Sequence, residues 1–258
     1  MTKRKYKYIY GPVPSWRLGS SLGVDPIQGR EKVCSFDCLY CQLGRTEIFT
    51  ARRKKFVATS EVMKEINSLP PVKIDYITFS GMGEPTLAKN LGEMIRAVKR
   101  ARKEKVAVLT NASLMYRKDV RRDLLKADLV AVKMDASSEK LLRKVNKPTG
   151  GITLGRIVRS IKDFKAAYKG KLALQIMFVK ENEKYAKEIA GIAKEIGPDE
   201  VQINTPLRPC AVKPLTRNKI SRIKKYFQPL NAVSVYESRR KKVRPISTEE
   251  TLKRRGKI

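Results

Sequence analysis

Apolar positions along this chain fall into short runs that alternate with amphipathic stretches. The runs at residues 75–80, 106–111, 129–134, 171–179, 200–205 and 232–237 are nearly continuous in Ile, Val, Leu and Ala, the pattern of strands covered on both faces. Between them, at 60–69, 90–105, 117–127, 154–168, 183–196 and 217–226, apolar residues recur at helical spacing. Ser60 ahead of Val62, Ile66 and Leu69 predicts a capped helix start. Gly197-Pro198 predicts a helix stop. Strand and helix in alternation predict right-handed crossovers and a parallel α/β sheet. About six such units predict a partial (β/α)6 barrel with its chemistry at the C-terminal strand ends. The first strand is expected at 31–34, running into Cys34. Residues 1–29 read as an ordered N-terminal extension, 30–238 as the barrel, and 239–258 as a basic tail or mobile arm.

Charge changes this picture by suggesting a partner. The 258 residues, 41% of them hydrophobic, suffice for a real core, yet 57 Lys and Arg face only 25 Asp and Glu, a net charge of +32. A heat-adapted surface would balance its Lys with Glu. The imbalance points to a polyanion such as nucleic acid. Residues 239–258 hold nine cations (Arg239, Arg240, Lys241, Lys242, Arg244, Lys253, Arg254, Arg255 and Lys257), and Arg52-Arg53-Lys54-Lys55 forms a second basic run. The chain has no histidine, which excludes a Ser-His-Asp triad, a Cys-His dyad and a His-ligated zinc. No apolar stretch approaches the ~18 residues of a membrane span. Met1 to Tyr6 does not lead into a signal peptide, so a cytoplasmic protein without a membrane partner is expected.

Three of the four cysteines, Cys34, Cys38 and Cys41, lie within eight residues, and Cys210 stands far off. A Cys-x3-Cys-x2-Cys turn suits three irons of a cubane better than a tetrahedral zinc, which wants a fourth Cys or His. A [4Fe–4S] cluster with three protein ligands leaves one iron open for a small chelate. A zinc knuckle or three reduced thiols is the alternative.

Cys34-x3-Cys38-x-Tyr40-Cys41 resembles the signature of radical S-adenosylmethionine (SAM) enzymes. Ser80-Gly81-Met82-Gly83-Glu84-Pro85, at the end of the next strand, resembles their glycine-rich loop, here with Met82 inside it. The stretches 10–25 and 41–46 are similar to a small archaeal and bacterial branch of that superfamily. That branch is itself similar to the radical SAM enzyme of wybutosine synthesis, which modifies guanosine next to the tRNA anticodon. The resemblance implies that Cys34, Cys38 and Cys41 hold a [4Fe–4S] cluster. It implies that SAM occupies the open iron and that a reductant such as ferredoxin or flavodoxin drives its cleavage to a 5′-deoxyadenosyl radical.

The same resemblance implies SAM contacts at Tyr40, Gly81, Gly83, Glu84, Asn111 and Asp135. Each has a plainer alternative. Tyr40 could simply cover the cluster, Glu84 could cap the following turn, and Asn111 and Asp135 could serve strand-end turns. Lys133 could pair with the SAM carboxylate or snorkel, and Gln175 and Gln202 could face the barrel interior or bond to backbone. Cys210 could relay a hydrogen atom or be an ordinary small residue, and Arg208 could pair with a phosphate or a substrate carboxylate. Cluster motif and charge together predict an enzyme acting on RNA, with tRNA as the expected target. An enzyme that modifies or activates a protein and a metal-stabilised RNA-binding module without catalysis are the other readings.

Overall fold

The computed structural model describes residues 6–29, 31–238 and 241–255. The expected cations Arg239, Arg240 and Lys257, with residues 1–5, lie outside them. In chain order the strands are β1 (Ile9–Ser15), β2 (Gly19–Val24), β3 (Val33–Cys34), β4 (Ile48–Phe49), β5 (Tyr76–Phe79), β6 (Lys105–Thr110), β7 (Leu129–Lys133), β8 (Lys171–Met177), β9 (Glu200–Asn204) and β10 (Ala232–Ser234). The helices are α1 (Thr59–Asn67), α2 (Leu91–Ala101), α3 (Lys118–Leu124), α4 (Glu139–Val145), α5 (Leu154–Ala167), α6 (Ala186–Ile196), α7 (Arg217–Lys225) and α8 (Thr248–Arg255). Pro85–Leu87 and Glu183–Tyr185 form 3-10 turns. None of the described helices is long and apolar enough to cross a membrane.

Eight strands make one sheet in the order β1-β2-β5-β6-β7-β8-β9-β10. All its pairs are parallel except the β1–β2 hairpin. The sheet curls into the partial parallel barrel expected from the sequence. Side-chain size along each strand explains the curl. Val106, Val108, Val130, Val132, Leu172 and Leu174 face the helices and join the main core. Their neighbours Ala107, Ala131 and Ala173 face inward, where Leu129 and Leu18 complete a small separate cluster. Bulk outside and alanine inside let the sheet close around a lumen.

Two expectations are corrected here. The first barrel strand is β2, paired in parallel with β5, whereas residues 31–34 give only the two-residue β3, paired with β4 in a separate ladder. Ser20, Ser21 and Gly23 conceal β2 among small polar residues: Ser21 bonds Thr78 Oγ1 at 2.7 Å, and Gly23 leaves room for the Tyr10 ring. Second, the described tail residues that form α8 are docked and not a free arm. Ser247 bridges Gly11, Gly11 N donates to Thr251 Oγ1 at 3.0 Å, and α8 packs on β1. Arg254 is buried, its Nε donating to Asp25 Oδ2 at 2.8 Å, Nη1 meeting Glu250, and Nη2 donating to Lys7 O at 2.5 Å. A guanidinium matched on every side holds the tail down. Arg53 is also spent inside the fold, on Asp119, Asp123 and the Thr86 and Ala88 carbonyls.

Helix ends follow local chemistry. Gly197 ends α6 at φ +60°, as expected. Helix α1 begins one residue before Ser60, behind Ala58, without a side-chain cap. Asn90 Nδ2 instead ties that start down through Val57 O and Thr59 Oγ1 at 3.0 and 3.1 Å. Helix α4, which the polar run 137–140 disguises, starts at a Ser138 cap and ends at Asn146.

Candidate active site

The cysteine loop is stitched to the barrel on two sides. On one, Val33 N donates to Met82 O and Glu84 N to Val33 O at 3.0 and 3.1 Å, joining the loop's first strand to the glycine turn after β5. Gly83 makes this possible, since a Cβ there would fall inside the Val33 carbonyl. A Cβ on Gly81 would strike the buried Asp25 carboxyl group. On the other side, Asp37 N donates to Asn146 O and Leu39 N to Val145 O, each at 3.0 Å. The loop is closed by Thr46, which donates to Asp37 Oδ1 and Phe36 O at 2.7 Å each.

Amide hydrogens reach two of the three sulfurs. Phe36 N and Asn111 Nδ2 lie 3.5 and 3.7 Å from Cys34 Sγ, and Asn146 Nδ2 lies 3.4 Å from Cys38 Sγ. Desolvation pushes the Cys34 thiol up, with the Glu84 charge second. Desolvation also pushes Cys38 up to about 11. Thiols in so dry a place lose their protons readily only to a cation at sulfur. Hydrogen bonds onto the sulfurs are a means by which proteins tune iron–sulfur clusters. Among the described residues no three His, Cys, Asp or Glu side chains converge on a single ion. A cubane asks for no such convergence, because each cysteine binds a different iron, and the donor set fits one.

Behind the loop stands a buried polar network. Asp135 accepts from Tyr40 OH, from Asn146 Nδ2 at 2.7 Å and from Met177 N at 2.7 Å, with Lys133 Nζ at 3.8 Å. Lys133 lies 4.6 Å over the Tyr40 ring, and burial and the Asp135 charge hold the Tyr40 phenol protonated. Glu84 accepts from Thr86 N, Thr86 Oγ1, Thr110 Oγ1 and Asn111 N at 2.6–3.0 Å. It thereby caps the turn after the glycines and fastens it to the end of β6. Asn111 also donates to Ser35 Oγ at 2.9 Å.

In front lies a cavity of about 440 Å³, walled by Tyr40, Cys41, Gly81, Lys133, Gln175 and Arg208 among others. Gly83, Glu84, Asn111 and Asp135 stand behind that wall. Gln202 bonds Glu200, and Cys210 donates to Val212 O at 3.2 Å, both outside the lining. Three residues here carried no chemical signal in the sequence. They are Asn146, Arg17 and Gln42. Gln42, next to Cys41, accepts from Arg208 Nη1 at 2.5 Å and donates to the Arg254 carbonyl at 3.1 Å, latching the cysteine loop to α8.

Residues 32–193 match the model of the radical SAM superfamily. The chain belongs to that superfamily. A UPF0026 protein of Synechocystis sp. is 41% identical over 210 residues, covering 81% of this chain and 78% of the relative. A structure of TYW1 with a lysine-pyruvate adduct superposes with a TM-score of 0.65 at 13% identity, covering 82% of this chain and 74% of that one. Streptococcus suis SuiB bound to S-adenosylmethionine superposes at 0.61 with 17% identity, over 79% of this chain and 48% of SuiB. This chain thus spans about half the length of SuiB. The superfamily uses a [4Fe–4S] cluster and SAM, and the protein is a radical SAM enzyme.

Proposed function

We propose that this radical SAM enzyme modifies RNA, with tRNA as its substrate. In this reading Cys34, Cys38 and Cys41 hold the cluster. Tyr40 and Gly81 bound the SAM site, while Gly83, Glu84, Asn111 and Asp135 set its backbone and polarity. A ferredoxin- or flavodoxin-like reductant supplies the electron. When bound, the cluster and SAM supply a 5′-deoxyadenosyl radical. The chain's own part is to hold the loop rigid, exclude water and present the target.

The supporting observation is the sign of the charge around the cavity. Arg17, Lys133, Arg208, Arg254 and Arg255 line it, and Asp and Glu are missing from the lining among the described residues. On a chain of net +32, such a cavity draws a nucleic acid in, while a target nucleotide is splayed out of its stack to reach it. Lys242 and Arg244 are exposed for phosphate contact, whereas Arg53 and Arg254 are committed inside.

The test is filter binding of bulk tRNA at graded salt, followed by nucleoside profiling of tRNA from cells lacking the gene. Retention that falls steeply with salt and a missing modified nucleoside are expected. Failure to retain tRNA at low salt removes RNA from the account and leaves the radical SAM enzyme in place.

A further inference from the structure

The cavity that begins at Tyr40 and Cys41 also takes in Trp16 and Arg17, from the turn between β1 and β2. That turn precedes β2, so it sits at the N-terminal strand ends, across the barrel from the cysteine loop. Arg17 stacks on the Trp16 ring at 5.6 Å, and its Nε and Nη1 are enclosed without a hydrogen-bond acceptor among the described residues. Its acidic neighbour Glu200 is already engaged, by Lys171 Nζ at 2.6 Å and Gln202 Nε2 at 2.8 Å. Arg255 of α8 lines the same cavity at 8% exposure, and burial lowers its guanidinium from the ordinary value. Burial first, and the charge of Arg255 second, hold Arg17 down to about 10. Of the other cations of the wall, Lys133 is paired with Asp135 and Arg254 with Asp25 and Glu250, while Arg208 donates to the neutral amide oxygen of Gln42.

Two guanidiniums that line one cavity, one of them with two enclosed and unpaired N–H groups, are costly to keep there unless an anion joins them. We propose that Arg17 and Arg255 form an oxyanion subsite inside the barrel, which grips the phosphate or carboxylate group of a small substrate. Backbone phosphates of a polymer stay at the mouth, whereas Arg17 rises from the opposite end. The anion therefore belongs to a molecule small enough to enter the cavity. The subsite rests on this cavity being the active site, and not on RNA being a substrate.

The experiment needs neither cluster nor SAM cleavage. The full-length protein is titrated calorimetrically with inorganic phosphate and, separately, with malonate, at an ionic strength fixed by chloride. Saturable binding of at least one anion is expected, weakened roughly tenfold or more by Arg17→Gln and by Arg255→Gln and partly kept by Arg17→Lys. In the absence of either anion, Arg17→Gln is expected to melt no lower than the unsubstituted protein, since it removes an unmatched buried charge. The anion should stay bound at saturating tRNA. No saturable binding of either anion, equal binding by the Gln variants, or displacement of the anion by tRNA would overturn the subsite.

Discussion

Asn146 places one side-chain amide nitrogen within hydrogen-bond distance of Cys38 Sγ, Tyr40 OH and Asp135 Oδ2, at 3.4, 2.9 and 2.7 Å. A cluster held by Cys38 would feel that N–H as partial positive charge favouring its reduced form. Asn146→Ala should therefore shift the cluster midpoint potential to more negative values while the iron content stays near that of the parent, as read by redox-poised electron paramagnetic resonance. An unchanged potential would separate Asn146 from the cluster. Asp119 gives a pH prediction away from the site. Arg117 first, then Arg53, hold its carboxyl well below the usual range. A depressed carboxylate contributes stability in full above its unfolded value near pH 4, and loses it as pH falls through the folded value. Asp119→Asn should lower the melting temperature at pH 7 and narrow the difference from the parent as the pH falls below about 4. At this scale the sequence was a partial guide. Cys34, Cys38 and Cys41 announce themselves by spacing, whereas Asn146, Gln42 and Arg17 matter only through neighbours at least 100 residues away in some cases, which no local pattern records.

The elements most visible in the sequence are those whose bulk faces helices: β6, β7 and β8 alternate large outward with small inward residues, and the runs stay apolar throughout. Strand β2 escaped notice because its lumen face is serine and glycine, and α8 because its buried residues are Glu250, Thr251, Arg254 and Arg255. Helix α8 is nonetheless coupled to the site: Arg254 bonds Asp25, and Asp25 packs against Gly81. Breaking one member of a buried pair costs about 3–5 kcal/mol. Arg254→Ala should lower the melting temperature by on the order of 10 °C, measured by calorimetry, and weaken SAM binding through the loosened turn. Replacing both partners, as in Asp25→Leu with Arg254→Met, should recover part of the stability, because the uncompensated charge goes with its partner. A single substitution with no thermal cost would return the tail to the free arm that its composition suggested.

For the whole molecule, the excess of 57 basic over 25 acidic residues was legible at once, but not its division of labour. Arg53 and Arg254 hold the fold together, Arg17 and Arg255 face the lumen, and Lys242 and Arg244 remain outside. Lys242→Glu with Arg244→Glu should weaken tRNA retention at low salt and flatten its salt dependence, with melting unchanged. The chemistry of the site depends on a metal cluster held by Cys34, Cys38 and Cys41. The most direct measurement is iron content and SAM cleavage of anaerobically reconstituted protein, side by side with Cys38→Ala. The account predicts a brown parent with about four irons that yields 5′-deoxyadenosine on reduction, and a variant that has lost both. A Cys38→Ala protein that keeps its iron and still cleaves SAM would contradict it.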